Sequence, residues 1–557
     1  MQITQILAKL VAEALESAQT TGVLPASGEV DIKIERPKLT EHGDFSTSLP
    51  LTLARTMRVP PIQIAAAIVD AMPQGEMIGS VTSADPGFVN FKLSTHWLQS
   101  QVKIVRGLGE KFGTVDSGLG KSVQVEFVSV NPTGPLHVGH ARGAVIGSSL
   151  ANVLEAAGYE VQREYYVNDA GTQMRVFYDT LYSRVMQASG RDVPLPDPAY
   201  PGDYLKTLAA DLLNDLGEKL GSKEKSEVIT ELAPESLSRT IDGIRHTLER
   251  LGVFYDQWFY ESRLISSGRF DQVMDFLKDS NLIVDRDGAQ WFAATKLGLD
   301  EDIVVIRSGD ADPTYFATDI AYHHEKFMER KFDRVINVWG ADHHGHIARM
   351  HAVLTAFGLD PDRLTIILNQ IVNFKNEGES LKFSKRNNVI VTVEELLDEV
   401  GSDACRFTFL SRSPDSHMEF DLGLAKRQSS ENPVYYVQYA HARMASILRT
   451  AEEKGINFNS ADLDLLVHAQ ELELIRKIIE LPTVVERSAE RMEPHHLPHF
   501  AMELAKSLQR FYEHCRVVSS EKKDIEISRA RLQLVDAARI ALRQTLSLMG
   551  MSSPERM

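Results

Sequence analysis

The stretch from Lys121 to Arg142, KSVQVEFVSVNPTGPLHVGHAR, constrains this chain more than any other, because it reads as strand, loop and helix in that order. From Ser122 to Val130, residues Val123, Val125 and Phe127 alternate with Gln124 and Glu126, the period-2 pattern of a strand feeding a core. Asn131-Pro132-Thr133-Gly134-Pro135 breaks that pattern. The run from His137 to Ala157 then avoids proline, is rich in Ala, Leu and Val, and stops at Gly158, which predicts a helix with a glycine end. His137, Gly139 and His140 therefore sit near a helix N-terminus, where unpaired N–H groups and the positive end of the dipole favour an anion such as phosphate. The two imidazoles add donors, and Gly139 has no side chain to keep a flat base off the helix backbone. On its own, HxGH is a short pattern that recurs by chance.

A second element lies at Leu381 to Arg386, LKFSKR, after an apolar run from Leu364 to Val372 that reads as a buried strand. Lys382 and Lys385 bracket Ser384. As compact cations on a loop they suit a triphosphate that is losing pyrophosphate, although a solvated basic turn has the same composition. Together, HVGH after a first strand and KFSKR after a late strand resemble the paired signatures of class I aminoacyl-tRNA synthetases, usually written HIGH and KMSKS. Phe383 stands for the usual methionine and Arg386 for the final serine, and neither change removes a lysine.

Further stretches narrow the resemblance. Tyr159 to Val167 reads as a second strand that ends in Asn168-Asp169-Ala170-Gly171-Thr172-Gln173, and YYVNDAGTQ is similar to arginyl-tRNA synthetases specifically. So is PTYFATDIAYH, a helix predicted to begin at Asp312-Pro313, in which Tyr315 and Asp319 are four residues apart and share a face. A ring and a carboxylate side by side can stack on and pair with a guanidinium. Val335 to Trp339 reads as another strand, followed by GADHHGH. Asp342, His343 and His346 there invite a metal reading, but Gly340 and Asp342 at a strand end also suit a ribose at a switch-point crevice, and the resemblance favours the second.

At 557 residues the chain exceeds one core. Residues 1–95 read as a small α+β unit, in which HGDF and the later PGFVNF resemble the N-terminal domain of the arginyl family. The resemblance makes this unit a contact for the tRNA body, with Phe45 as a candidate. Residues 96–412 read as a Rossmann-like, doubly wound parallel-sheet catalytic unit, with a mostly helical insertion at about 175–285 and the sheet resuming at Ile303 to Ile306. Residues 413–557, nearly free of strand patterns, read as an all-α bundle resembling that family's anticodon-binding domain, with Asn432, Tyr439 and Arg443 as candidate tRNA contacts. Glu493-Pro494-His495-His496 offers metal-ligating side chains, but it reads first as a helix–helix corner.

The net charge of −17 argues against extensive phosphate neutralisation, so a tRNA partner requires a local basic track on an acidic chain. Cys405 and Cys515 are far apart and form no CxxC pair, which supports neither a disulfide framework nor a cysteine metal site. No long apolar run or signal-peptide pattern is present, so a cytoplasmic protein without a membrane partner is expected, acting as a monomer.

The resemblance implies an arginine-activating ligase: ATP and arginine form an adenylate with loss of pyrophosphate, and arginine then passes to the 2′-hydroxyl of the terminal adenosine of tRNA(Arg), with activation dependent on tRNA. It assigns His137, His140, Lys382 and Lys385 to catalysis. It assigns Gly139, Gly340, Asp342 and Ser384 to ATP, which brings Mg²⁺. Arginine falls to Glu126, Ser129, Asn131, Tyr315, Asp319 and His343, with Glu126 and Asp319 meeting the guanidinium. Two other classes remain open: a smaller nucleotidyltransferase, which would not need the helical bundle, and a metal-dependent phosphohydrolase built on Asp342, His343 and His346.

Overall fold

The computed structural model describes residues 3–37, 39–200, 202–217, 223–307, 313–376, 379–380, 392–519 and 521–557. Lys382, Ser384, Lys385 and Asp312 lie outside them. In the N-terminal unit, α1 (Ile3–Thr20) buries Leu7, Val11, Ala14, Leu15 and Ala18, a single stripe at helical spacing. The antiparallel strands β1 (Phe45–Thr47), β2 (Ile78–Ala84) and β3 (Phe88–Leu93) pair in the order β1-β3-β2, and α2 (Leu49–Met57) and α3 (Pro61–Asp70) pack with them. α4 (Thr95–Leu108), capped by Ser94, leads out of this unit.

The parallel sheet starts with β4 (Ser122–Phe127), α5 (Ala141–Ala156) and β5 (Glu160–Val167). α6 (Gly171–Ala188), α7 (Tyr204–Leu216) and α8 (Lys225–Arg250) then lead to β6 (Gln257–Tyr260). After α9 (Ser262–Ser266) and α10 (Arg269–Asp279), a small antiparallel sheet forms from β7 (Ile283–Arg286), β8 (Ala289–Phe292) and β9 (Ile303–Ile306). α11 (Tyr315–His324), β10 (Arg334–Gly340), α12 (His346–Ala356) and β11 (Leu364–Asn369) complete the main sheet, whose order is β11-β10-β4-β5-β6 with every pairing parallel. The chain winds away from β4 in both directions, so a topological switch point falls between β4 and β10, where a doubly wound sheet opens its ligand crevice.

β12 (Val372–Asn376), β13 (Glu379–Ser380), α13 (Val393–Val400), α14 (Ser402–Leu410), β14 (Met418–Asp421) and α15 (Leu422–Lys426) follow. The bundle is α16 (Pro433–Glu453), α17 (Ala469–Ile478), α18 (Leu481–Arg491), α19 (His496–His514) and α20 (Ile525–Leu548). Between α18 and α19, Glu493, His495 and His496 form the expected corner, with donor atoms within 4.8 Å of one another. One continuous cluster of buried apolar residues runs from α1 through the main sheet into this bundle. Asp44 fastens the two ends of the chain together: it accepts from Leu93 N at 2.6 Å and pairs with Arg476 Nε on α17 at 2.6 Å.

Several expectations change. The helical insertion at about 175–285 is divided by β6, a four-residue edge strand of the main sheet, so α6 to α8 form the crossover between β5 and β6. Ile303–Ile306 does not resume the main sheet; it pairs with β8 in the small one. β14 pairs with β12, so the residues just past 413 carry a strand. α11 begins at Tyr315 with Thr314 as its cap, a hydroxyl supplying the acceptor that a proline cannot. β4 stops at Phe127 instead of Val130, because Val128 and Ser129 turn to φ +71° and +44°. The alternation within β4 does not separate inside from outside either: Gln124 and Glu126 are as buried as Val123 and Val125, since a parallel sheet is covered on both faces.

Candidate active site at the strand ends

α5 lies close against β4. A Cβ at Gly147 would fall 2.2 Å from the Phe127 ring, so glycine there permits the approach. That contact brings the start of the helix to the C-terminal end of β4. His137 is the N-cap of a 3₁₀ turn (Val138–His140) that runs into α5, and its Nδ1 accepts from Gly139 N at 3.1 Å. The His137 and His140 rings stand edge to face with centroids 6.1 Å apart. Burial, assisted by His137, pushes the His140 pKa down to about 4, and its Nδ1 is buried with no hydrogen-bond partner. At neutral pH His140 is thus a neutral imidazole with one nitrogen uncommitted, while the positive field comes from the helix terminus.

Across the crevice, β10 ends at Gly340, where a Cβ would meet Asp342 Oδ1 at 2.4 Å; the missing side chain lets this carboxylate fold back over the strand end. Asp342 and His343 are exposed there, and His343 lies against Trp339 and His346 with ring centroids 5.8 and 6.4 Å away. Lys382, Ser384 and Lys385 are outside the described residues, but the chain that follows them returns to the same place. Val393 N donates to Leu136 O at 2.9 Å, and Thr392 bridges His137.

The loop after β4 carries backbone strain. A positive φ at a β-branched residue such as Val128 is uncommon and persists only where its surroundings enforce it. Here tyrosines enforce it: Tyr255 OH donates to Phe127 O at 3.0 Å and Tyr165 OH to Val130 O at 2.8 Å. Tyr204 OH donates to Thr133 O. Ser129 Oγ accepts from Tyr166 N at 3.1 Å, and the Asn131 amide donates to Gln173 Oε1. Ser129 and Asn131 therefore sit at the strand end, as their sequence positions require.

Behind this loop, the structure gathers carboxylates. Glu126 is 5% exposed, and its Oε2 accepts from Lys326 Nζ at 2.5 Å. It is already partly committed to that ammonium. Burial raises the Asp319 pKa to about 8, with the negative charges of Glu126 and Glu261 adding to the effect and Lys326 opposing it. Burial likewise raises Glu261 to about 7. Glu261, at the end of β6, is the residue that sequence reading missed. With its amide oriented to satisfy both ends, Asn168 donates to Glu261 Oε2 at 2.6 Å, while Asp169 accepts from Ser262 N at 2.9 Å. The sequence signal was a carboxylate directly after an aromatic strand, QWFYE, hidden by the shortness of that strand. Tyr315 is half-exposed and lies on the Glu261 side of the pocket, within the field of Glu261 and Tyr200. It lines a cleft of about 670 Å³ together with Glu261, Gln173, Phe316 and His346.

Two candidate tRNA contacts are corrected. Phe45 is 4% exposed, paired with Phe91 across β1 and β3 and covered by the Arg36 guanidinium 5.1 Å from its ring, so it has no face to offer a nucleic acid. Asn432 is 5% exposed and caps α16: its Oδ1 accepts from Val434 N at 3.1 Å, and its Nδ2 donates to Ala425 O at 3.0 Å and Arg427 O at 2.9 Å. Tyr439 is exposed and stacks on Tyr435 at 6.1 Å, and Arg443 lies over Tyr512 at 4.4 Å while donating to Gln509 Oε1. Among the described residues, no helix is long and apolar enough to cross a membrane.

Three family models match the chain: the arginyl tRNA synthetase N terminal domain over residues 5–93, the tRNA synthetases class I (R) catalytic domain over 104–411, and the DALR anticodon binding domain over 437–557. The chain is similar to the arginine–tRNA ligase of Dehalococcoides mccartyi (strain CBDB1), with 48% identity covering 100% of this chain and 99% of that one. It is also similar to the arginine–tRNA ligase of Heliobacterium modesticaldum (strain ATCC 51547 / Ice1), with 46% identity over 100% and 99%. Among solved structures it resembles a putative arginyl-tRNA synthetase from Campylobacter jejuni, with a TM-score of 0.75 and 32% identity over 84% of this chain and 100% of that one. It shares its fold with the Thermus thermophilus arginyl-tRNA synthetase, with a TM-score of 0.78 and 24% identity over the whole of both chains.

Proposed function

The chain belongs to the arginyl-tRNA synthetase family, and from that premise we propose how its residues divide the work. It is an arginine–tRNA ligase: it uses ATP to activate arginine and charges tRNA with it. The chemistry requires the α-carboxylate of arginine to be held in line with the α-phosphorus while charge spreads onto leaving pyrophosphate, so the protein acts through position and electrostatics. His137 and His140 face the phosphates at the start of α5, His140 as a neutral hydrogen-bonding group. Gly139, Gly340 and Asp342 take the adenosine, and Ser384 joins them on the ATP side. Lys382 and Lys385 close over the pyrophosphate, with Mg²⁺ arriving on the ATP.

On the other side of the crevice, Ser129 and Asn131 hold the amino-acid end of arginine, His343 approaches it, and Tyr315 lies along its side chain. Glu126, Asp319 and the added Glu261 receive the guanidinium. Residues 1–95, 96–412 and 413–557 serve as a tRNA-body unit, a catalytic unit and an anticodon unit, with Tyr439 and Arg443 on the tRNA side. The enzyme works as a cytoplasmic monomer and activates arginine only when tRNA orders the site.

The observation that carries the amino-acid assignment is the buried carboxylate group beside a phosphate-facing helix terminus. A site built to satisfy a guanidinium leaves charges unpaired when a shorter or neutral side chain enters, so it discriminates strongly by binding alone. Charging total tRNA with labelled arginine, lysine and cysteine tests this: arginine alone is expected to be attached, and comparable charging with lysine or cysteine would overturn it. ATP–pyrophosphate exchange with and without cognate tRNA tests the tRNA requirement, and full exchange in its absence would remove it.

A further inference from the structure

One cation in the core is explained by neither the fold nor the roles above. Lys326 is 0% exposed, although burying an ammonium is costly unless its charge is matched and its hydrogens are satisfied. It lies in a π-helical turn (Glu325–Glu329) that directly continues α11, the helix carrying Asp319. Such turns interrupt helices mostly where function demands it. Lys326 Nζ donates to Glu126 Oε2 at 2.5 Å and to Asn337 Oδ1 at 3.2 Å, and sits 4.0 Å from the centroid of the Tyr322 ring.

The bonds continue beyond Asn337. Its Nδ2 donates to His323 Nε2 at 2.9 Å, and His323 Nδ1 donates to the backbone carbonyl of Asp319 at 2.8 Å. A single buried polar chain therefore links Glu126 on β4, Lys326, Asn337 on β10, His323 and the backbone of Asp319 on α11. One end is the Glu126 carboxylate, and the other is the backbone carbonyl of Asp319, whose side chain is the second carboxylate assigned to the guanidinium.

We propose that Lys326 is a positioning residue for arginine recognition, holding the Glu126 carboxylate fixed in direction while the Asn337–His323 link sets where Asp319 stands relative to it. This rests on the reading of Glu126 and Asp319 as the guanidinium partners. Without Lys326, the Glu126 carboxylate loses the partner that fixes its direction and no longer presents its free oxygen to a ligand that has only donors. The other charged or titratable groups facing this chain include Glu164, Arg330, Asp319, Glu261, His346, Tyr166, Tyr255, Tyr322 and His323, which remain in place when Lys326 is replaced.

The test is Lys326→Met, close in volume and uncharged, measured by ATP–pyrophosphate exchange in the presence of cognate tRNA. The KM for arginine should rise by roughly 30-fold or more, the scale set by losing one partner of a desolvated charge pair. The KM for ATP should move by less than about threefold. Asn337→Ser keeps Lys326 and Glu126 together but cuts the link to His323, which makes it the milder variant should Lys326→Met not fold. It should raise the arginine KM selectively and by less. An unchanged arginine KM, or equal rises in both KM values, would make Lys326 merely structural and overturn the proposal. Arginine preference of the wild type and the effect of Asp319→Asn test the underlying reading separately. If both hold while Lys326→Met and Asn337→Ser leave the arginine KM alone, only the role of Lys326 falls.

Discussion

Glu164 on β5 and Asp319 on α11 are two acids on elements joined through Tyr322, yet one is complete and the other is not. Glu164, 0% exposed, takes both Nη groups of Arg330 in a fork, accepts from Gln124 Nε2 at 2.8 Å, and is bonded by Tyr322 OH. Asp319 instead faces Glu126 and Glu261, and burial together with their charge raises its pKa to about 8. The fold itself supplies a guanidinium to the first acid. The second lies among acids that one cation, Lys326, only partly offsets, and on the proposed reading a planar, bidentate cation from outside would complete it in the way Arg330 completes Glu164. A satisfied buried carboxylate is scaffold, and an unsatisfied one is a receptor.

The largest effect that tests this contrast is Arg330→Met. It leaves Glu164 buried and unpaired and should cost about 3–5 kcal/mol of stability in urea unfolding, with the ratio of arginine KM to ATP KM unchanged. A selective rise in arginine KM would show that the two acids are not separable. Next comes Asp319→Asn, expected to raise the arginine KM by the equivalent of about 2–5 kcal/mol with little change in ATP KM. Its stability should hold or improve: the folded state keeps the Asp319 proton that the unfolded chain has lost between about pH 4 and pH 8, so the native acid lowers stability across that window. Equal effects on both substrates would return Asp319 to the scaffold.

A third effect is set by pH. Glu261 near 7 and Asp319 near 8 hold protons in the empty pocket, and a guanidinium favours their ionised forms, so arginine binding should release protons at pH 7. Affinity should rise from about pH 6 to about pH 8 by up to about tenfold per unit for each proton released. Calorimetry in buffers of different ionisation enthalpy measures the number directly, and Glu261→Gln should abolish the lower-pH share. A flat profile would mean that the pocket is already complete. The smallest effect carries the contrast into the bundle, where Asn432 completes its own helix. Asn432→Ala should cost about 1 kcal/mol of stability and leave the tRNA dissociation constant unchanged, and weaker tRNA binding at equal stability would make Asn432 a contact after all.

Much of this layout was legible in the residues. HVGH lies at a helix start, and Tyr315 and Asp319 share α11. The misreadings share a cause. Phe45 and Asn432 lie in stretches that resemble tRNA-contacting regions, and whether a side chain there is exposed depends on Phe91 and Arg36 in one case and on Ala425 and Arg427 in the other.

The sequence by itself determined the order of elements and the helix start after β4, because each depends on residues within a few positions of one another. Only the tertiary structure decided which acids are paired. Lys326 meets Glu126 across 200 positions and Arg330 meets Glu164 across 166, while Glu261 joins Asp319 from the end of a strand too short to announce itself. The charge state of a buried group is set by every neighbour within a few ångströms in space, and a linear pattern records only those that are also near in the chain.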